Sequence, residues 1–141
     1  SVECFLLSSL TSNFNTINHA VNIFNIEYLM NQQMSQISEG ELQKVLLARC
    51  LMTNPELMIL DEPVSSMDVK SKTKFYNLIN KLSYENPNLG IIITSHDIHS
   101  VMREPHKIVC LNKSITCEGK AEEILKNPNF LEMFGGCIET R

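Results

Sequence analysis

Two adjacent carboxylates, Asp61 and Glu62, follow the apolar run at residues 57–60. A short apolar run of this kind predicts a strand buried on both faces of a parallel sheet. Open α/β sheets bind ligands at the carboxyl ends of such strands. Asp61 would hold a divalent cation there, directly or through water, because hard cations take oxygen ligands. Glu62 would point differently and could polarise an attacking water. The alternative is a strand that simply runs into an acidic turn.

His96 follows a second apolar run, residues 91–94, and lies between Ser95 and Asp97. A helix capped by Asp68 is predicted between the two runs, which makes a βαβ unit. Its apolar residues, at helical spacing, are Phe75, Leu78, Ile79 and Leu82. Because both strands would end at one edge of the sheet, His96 should meet Glu62 and a ligand there. A lone histidine is usually structural, but this position favours a functional residue.

Ser38, with Glu41 three residues later, predicts a capping box at the start of an amphipathic helix that reaches about residue 53. The predicted apolar stripe of this helix is Leu42, Val45, Leu46 and Cys50. Ser38 and Gly40 would also expose backbone N–H groups at the positive end of the helix dipole, where anions bind. An ordinary helix start and an anion site therefore both remain open from these residues alone.

Composition restricts the class of protein. The chain has 141 residues, 43% of them hydrophobic and 20% charged, and a net charge of −4. This amounts to about one domain of a globular protein. The negative charge argues against binding to a nucleic-acid backbone. No apolar run reaches the roughly 20 residues of a membrane span, and the acidic start lacks the pattern of a signal peptide.

The remaining segments predict a helical region up to about residue 36, a hairpin at 107–119, and two short terminal helices at 121–126 and 129–134. A short helix is predicted around residues 98–102. The other histidines, His19, His99 and His106, are assigned to the surface. Five scattered cysteines, an odd number without a Cys-x-x-Cys pair, predict reduced and mostly packed thiols in a cytosolic protein.

Taken together, these motifs resemble the ATPase subunit of an ABC transporter. Residues 37–41 resemble the family's signature loop, usually LSGGQ. Residues 57–62 resemble the Walker B strand with its catalytic glutamate, residues 65–68 the D-loop, and His96 the switch histidine. A finer resemblance, to the ATPase subunits of bacterial high-affinity zinc importers, is carried by residues 45–49, 61–64, 95–97, 109–112 and 130–135.

The resemblance implies an α/β fold: a partial P-loop NTPase (RecA-like) ABC ATPase domain with parallel core strands and a small N-terminal helical subdomain. It places the helical subdomain at 1–37 and the C-terminal part of the ATPase core at 38–141. Two departures stand out. Glu39 replaces the first glycine of the signature loop. No glycine precedes a Lys-Ser or Lys-Thr at the spacing of a phosphate loop, so the chain resembles the second half of such a subunit, without Walker A and the Q-loop.

The resemblance also implies roles for individual residues. Glu62 would be the general base and His96 would orient the γ-phosphate and water. Asp61 would support Mg²⁺, directly or through water. Ser38, Gly40 and Glu41 would bind the ATP held by a second subunit, and Asp68 would couple the two sites. The resemblance thus implies catalytic roles for Glu62 and His96 and a metal-supporting role for Asp61. It implies cofactor binding by Ser38, Gly40, Glu41, Asp61 and Asp68.

The implied whole subunit binds and hydrolyses ATP as a homodimer on the cytoplasmic face of the membrane. It drives a permease that imports zinc or a related divalent metal, which a periplasmic or surface metal-binding protein supplies. Nucleic acid is not an expected partner, and residues 1–141 alone are expected to be inactive. Two alternatives remain. One is a non-catalytic half-domain that acts as an association module. The other is an ABC-type ATPase of DNA maintenance, although the chain lacks sustained heptads.

Overall fold

The structure, a computed structural model, describes residues 1–8, 14–98, 102 and 107–134, and for residues 14 and 15 it describes the backbone only. The helices are α1 (Val2–Leu7), α2 (Phe14–Phe24), α3 (Glu39–Leu51), α4 (Val69–Glu85), α5 (Ala121–Ile124) and α6 (Pro128–Phe134), with a 3-10 turn at Glu27–Leu29. The strands are β1 (Leu57–Asp61), β2 (Gly90–Thr94), β3 (Ile108–Asn112) and β4 (Ser114–Gly119). Contacts divide the chain into two compact units, Ser1–His96 and Asp97–Arg141.

In the first unit, α1 and α2 pack against α3, and the predicted helical region is broken by turns rather than continuous. α2 buries Ile17, Val21 and Phe24 in the core of this unit. The predicted stripe of α3 is partly wrong. Leu46 is 42% exposed and Cys50 is also exposed, whereas Leu47 and Ala48 are buried beside Val45. The face of α3 that meets α1 and α2 is therefore rotated from the one that spacing alone predicted.

β1 and β2 form a two-stranded parallel sheet, as predicted, with Leu57 opposite Gly90 and Asp61 opposite Thr94. One face carries Met58, which is buried in the core. The expectation that both faces are buried is wrong, because Ile59 is 65% exposed and Ile92 51% exposed on the other face. In the described part of the chain the sheet has only these two strands, and nothing packs closely over this second face.

α4 joins the two strands and begins at Asp68, whose side chain accepts hydrogen bonds from the backbone N–H groups of Lys70 and Ser71. This confirms the predicted cap, because a carboxylate at this position satisfies amides that have no partner within the helix. The helix buries four residues in the core of the first unit: Phe75, Tyr76, Ile79 and Leu82.

The second unit contains the predicted hairpin, in which β3 and β4 are antiparallel and Lys113 makes the turn with a φ of 61°. Cys110 faces Cys117 across the hairpin, and both are buried with residues of α5 and α6. Cys4 and Cys50 are exposed, so the expectation of mostly packed thiols fails for two of the four described cysteines. The predictions for His99, His106, Cys137 and most of the short helix at 98–102 lie outside the described residues.

The predicted boundary between residues 37 and 38 does not coincide with the contact-based division after His96, because α1 and α2 share a core with α3. As a boundary between functional subdomains it stays a prediction. Among the described residues, no helix is both long enough and apolar enough to cross a membrane.

Candidate functional site

Glu62 and His96 are in direct contact just beyond the carboxyl ends of β1 and β2. The Nδ1 atom of His96 lies 2.7 Å from Oε1 of Glu62. His96 is mostly exposed, with 78% of its side chain accessible, against 36% for Glu62. Parallel pairing of the strands explains the contact, because it delivers both residues to the same edge of the sheet. The arrangement gives solvent access to a carboxylate held by an imidazole.

The backbone of Glu62 adopts a left-handed conformation, with a φ of 44°. For a residue with a Cβ atom this conformation costs about 1–2 kcal/mol. It is held in place by Thr94, because the backbone N–H of Glu62 lies 3.2 Å from both the carbonyl and the hydroxyl oxygen of Thr94. The strain at Glu62 is thus supported by the neighbouring strand, as often occurs where a side chain must be aimed at a ligand.

Asp61 is held by the same threonine, whose hydroxyl donates a hydrogen bond to Oδ1 of Asp61. Within the described ranges, the other carboxylate oxygen of Asp61 has no hydrogen-bond partner. The described residues also contain no group of three or more His, Cys, Asp or Glu side chains placed to hold a metal ion. Asp61 can therefore offer one oxygen to a cation that takes its remaining ligands from elsewhere.

At the start of α3, Ser38 and Glu41 form the predicted capping box. The backbone N–H and the hydroxyl of Ser38 donate to Oε2 of Glu41 at 2.8 and 2.6 Å. Tyr28 donates its hydroxyl to the other oxygen, Oε1 of Glu41, at 3.0 Å. The Ser38 hydroxyl is the largest cause that holds the pKa of Glu41 below its usual value. The pKa of Tyr28 is raised by partial burial and by its bond to Glu41.

Gly40 stands in open space, because a Cβ atom added there would meet nothing within 4 Å apart from its chain neighbours and the backbone of its own helix. The backbone N–H groups of Glu39 and Gly40 have no hydrogen-bond partner among the described residues. Helix N-termini leave such groups unpaired, and they carry the positive end of the helix dipole. The start of α3 therefore presents two donors that have no partner among the described residues.

Asp68 and Ser66 lie in the segment that follows Glu62. The Asp68 carboxylate accepts from the Ser71 hydroxyl at 2.6 Å, the first of the hydrogen bonds that lower its pKa. Ser66 donates its hydroxyl to the carboxylate of Glu39, the first residue of α3. No direct hydrogen bond among the described residues joins Ser38, Gly40 or Glu41 to Glu62 or His96. The structure thus holds two groups of candidate residues, bridged by the contact between Glu39 and Ser66.

Two residues at these groups, Tyr28 and Thr94, were not singled out from the sequence, and Ser66 was included only in the segment 65–68 that resembles the D-loop. Thr94 was recognisable only as the last residue of a strand, although its polar side chain at a strand end is a signal. The contacts of Tyr28 and Ser66 had no usable signal, because their partners lie 13 and 27 residues away along the chain.

The family model for the ABC transporter matches residues 8–65. The "Zinc import ATP-binding protein ZnuC" of Ehrlichia ruminantium (strain Gardel) is 53% identical over 139 residues, which cover 95% of this chain and 56% of that protein. The proteins of the same name from Wolbachia pipientis wMel and Hydrogenovibrio crunogenus are 41% and 37% identical, and 56% and 52% of their lengths are covered. The chain therefore spans about half the length of the curated relatives it matches.

Solved structures share the fold. The cbiO1 protein from Clostridium perfringens, part of the ABC transporter complex cbiONQ, has a TM-score of 0.79 at 20% identity, covering 98% of this chain and 56% of that one. The ADP conformation of MJ1267, an ATP-binding cassette of an ABC transporter, has a TM-score of 0.76 at 20% identity, covering 86% of this chain and 49% of that one. At these identities the likeness supports the α/β fold of an ABC ATPase domain.

Proposed function

We propose that this chain, which is similar to the ATPase subunits of ABC transporters, is part of a longer subunit that hydrolyses ATP to drive zinc import. The support for ATP comes from the family, and the support for zinc comes from the names of relatives up to 53% identical. The finer proposal is that these residues form the C-terminal part of the subunit, with a phosphate-binding loop supplied by a segment that precedes them.

The observation that carries the proposal is the contact between Glu62 and His96 at the carboxyl ends of two parallel strands. Oε1 of Glu62 is engaged by the imidazole, while Oε2 has no partner among the described residues. Oε2 can therefore accept a proton from a water that attacks the terminal phosphate of ATP, which is the work of a general base. In phosphoryl transfer, positioning and charge stabilisation supply the rest.

The hydrogen bond between His96 and Glu62 has a defined donor and a defined acceptor. An ionised carboxylate only accepts hydrogen bonds, so the Nδ1–H of His96 is the donor to Glu62. In the neutral imidazole, Nε2 is then an acceptor and can orient a water. Only the imidazolium form donates from both nitrogens, so His96 must be protonated before Nε2 can hold a phosphate oxygen.

Asp61 fits a role in magnesium binding, because it keeps one carboxylate oxygen without a partner beside Glu62. Mg²⁺ is commonly held by one or two carboxylates together with substrate phosphates and water. The absence of any larger ligand cluster among the described residues agrees with a cation that arrives with the nucleotide. When bound, Mg²⁺ would neutralise charge that develops on the phosphates, while Thr94 keeps Asp61 in position.

Ser38, Gly40 and Glu41 would contact the ATP held by a second copy of the subunit. The free N–H groups of Glu39 and Gly40 suit phosphate oxygens. The Ser38 hydroxyl currently donates to Glu41, so it must exchange that partner before it can donate to a phosphate. Asp68 would couple the two sites from its place at the start of α4.

The proposed assembly is a homodimer bound to a membrane permease at the cytoplasmic face, with a metal-binding protein delivering zinc to the permease.

The test is magnesium-dependent phosphate release by the proposed full-length subunit and its Glu62→Gln variant. Turnover should fall by two orders of magnitude or more, since a general base contributes about 10²–10⁴-fold, while ATP binding is retained because the amide removes one negative charge. Glu56→Gln is the matched control, because Glu56 lies at the opposite end of β1 and should keep wild-type turnover. Equal turnover in Glu62→Gln and wild type would contradict the assignment.

A further inference from the structure

The carboxylate of Glu39 belongs to the first residue of α3, where two N–H groups are free, and it is bound by a serine from another segment. Glu39 is the first residue of α3, and Ser66 belongs to the turn between β1 and α4. The Ser66 hydroxyl donates to Oε1 of Glu39, although the two residues are 27 positions apart. The contact therefore fixes where one negative charge stands relative to the start of α3.

The two carboxylates in the first turn of α3 have different constraints. Glu41 is held through both oxygens, by Ser38 and by Tyr28. Glu39 is exposed, and its only described side-chain partner is Ser66. Without Ser66, the Glu39 side chain would be free to move toward the unpaired N–H groups of its own helix, because negative charge is favoured at a helix N-terminus.

We propose that Ser66 is a positioning residue that holds the Glu39 carboxylate away from the two free N–H donors at the start of α3, so that a phosphate of the opposing nucleotide can take them. This inference rests on the function proposed above. The physical reason is competition: a carboxylate and a phosphate are both anions and both suit the same donors. Ser66 acts through Glu39 and need not touch the nucleotide.

The experiment measures the dissociation constant of the ATP-dependent dimer by sedimentation, in the proposed full-length subunit with Glu62→Gln present to keep ATP intact. Ser66→Ala should weaken dimerisation by about three- to tenfold, the scale of one like charge near a partly exposed site. Glu39→Gly should tighten it, and Ser66→Ala should then have no further effect. Ser66→Thr keeps the hydroxyl and should restore the wild-type constant.

Ser35→Ala is the matched control, because Ser35 is exposed shortly before the same helix and no described contact uses its hydroxyl. The loss in Ser66→Ala should also shrink as the salt concentration rises, since exposed charges are screened. A merely structural role for Ser66 would instead lower the unfolding midpoint and persist at high salt.

Three results would overturn the inference. One is a dissociation constant for Ser66→Ala equal to that of Ser35→Ala. Another is an equal loss when Ser66→Ala is placed in the Glu39→Gly background, which would assign the effect to the turn itself. The third is the absence of ATP-dependent dimerisation in every variant, with and without Glu62→Gln. That result would overturn the proposed function together with this inference, and it differs visibly from the first two, in which dimers form.

Discussion

Gly40 is a glycine that the proposed function requires and the fold does not. It occupies the second position of α3, and only its chain neighbours and the backbone of its own helix lie within 4 Å of the place a Cβ would take. Its backbone also lies outside the positive-φ region that would require glycine. The fold therefore gives no reason for a glycine here, whereas close approach of a phosphate to the backbone does.

We expect Gly40→Ala to raise the free energy of unfolding by up to about 1 kcal/mol, since alanine is the better helix former. ATP-dependent dimerisation of the proposed full-length subunit should weaken, because the methyl group would stand between the helix start and the phosphate. Chemical denaturation and sedimentation measure the two effects. Gly90→Ala is the contrast: its Cβ would meet Cδ1 of Leu57 at 3.2 Å, so stability should not rise and dimerisation should be unchanged. Tighter dimerisation in Gly40→Ala would contradict the proposed phosphate contact.

At the scale of elements, the start of α3 couples protonation to stability through Glu41. Its pKa is lowered in the folded protein, mainly by the Ser38 hydroxyl and the Ser38 backbone N–H. A lowered pKa means that the folded state binds this proton less tightly than the unfolded chain does. The stabilisation is therefore complete above the unfolded value of 4.5 and is lost as the pH falls through the folded value.

Glu41→Gln should accordingly reduce the free energy of unfolding at pH 7 by less than about 1 kcal/mol, because the site is partly exposed and screened. The difference from wild type should shrink as the pH falls below 4.5. Glutamine can keep the capping box, so the substitution isolates the charge. Glu3→Gln in the first turn of α1 is the matched control. Urea unfolding from pH 3 to 7 measures the effect, and a difference that grows toward low pH would reverse the expected sign.

Elements with local signals and the parallel pair of the βαβ unit were predictable from the sequence, and several side-chain contacts between distant segments were not. The caps at Ser38 and Asp68 and the hairpin follow from residue types at short spacing, and the parallel pair follows from two apolar runs joined by a helix. The bond between Ser66 and Glu39 depends on how α3 meets the turn after β1, which no short window contains. The exposure of Ile59 and Ile92 was not predicted. An apolar run indicates that a strand favours burial, but it does not show which element covers each face of the strand.

At the scale of the whole molecule, the described residues would supply one part of the proposed ATP site. Asp61, Glu62 and His96 gather at one edge of the sheet, and the start of α3 has the free donors proposed for a second nucleotide. The printed sequence contains no G-x-x-x-x-G-K-[ST] pattern. Phosphate loops of that pattern provide the backbone cradle and the lysine that hold the β- and γ-phosphates. In the proposed subunit, most of the binding contacts for ATP would therefore be made by residues other than these 141.

We therefore predict that residues 1–141 alone neither bind ATP measurably nor hydrolyse it. Fusion to the preceding half of a relative such as the Ehrlichia ruminantium protein, of which this chain spans 56%, should restore both. His96→Ala should then lower turnover sharply, because Glu62 loses its described partner. Titration with a fluorescent ATP analogue and a phosphate-release assay measure the outcomes, with the relative's half alone as control.

A fusion that folds but stays inactive would favour the association module. Turnover by the unfused chain that vanishes in its own Glu62→Gln variant would show that the phosphate cradle is dispensable.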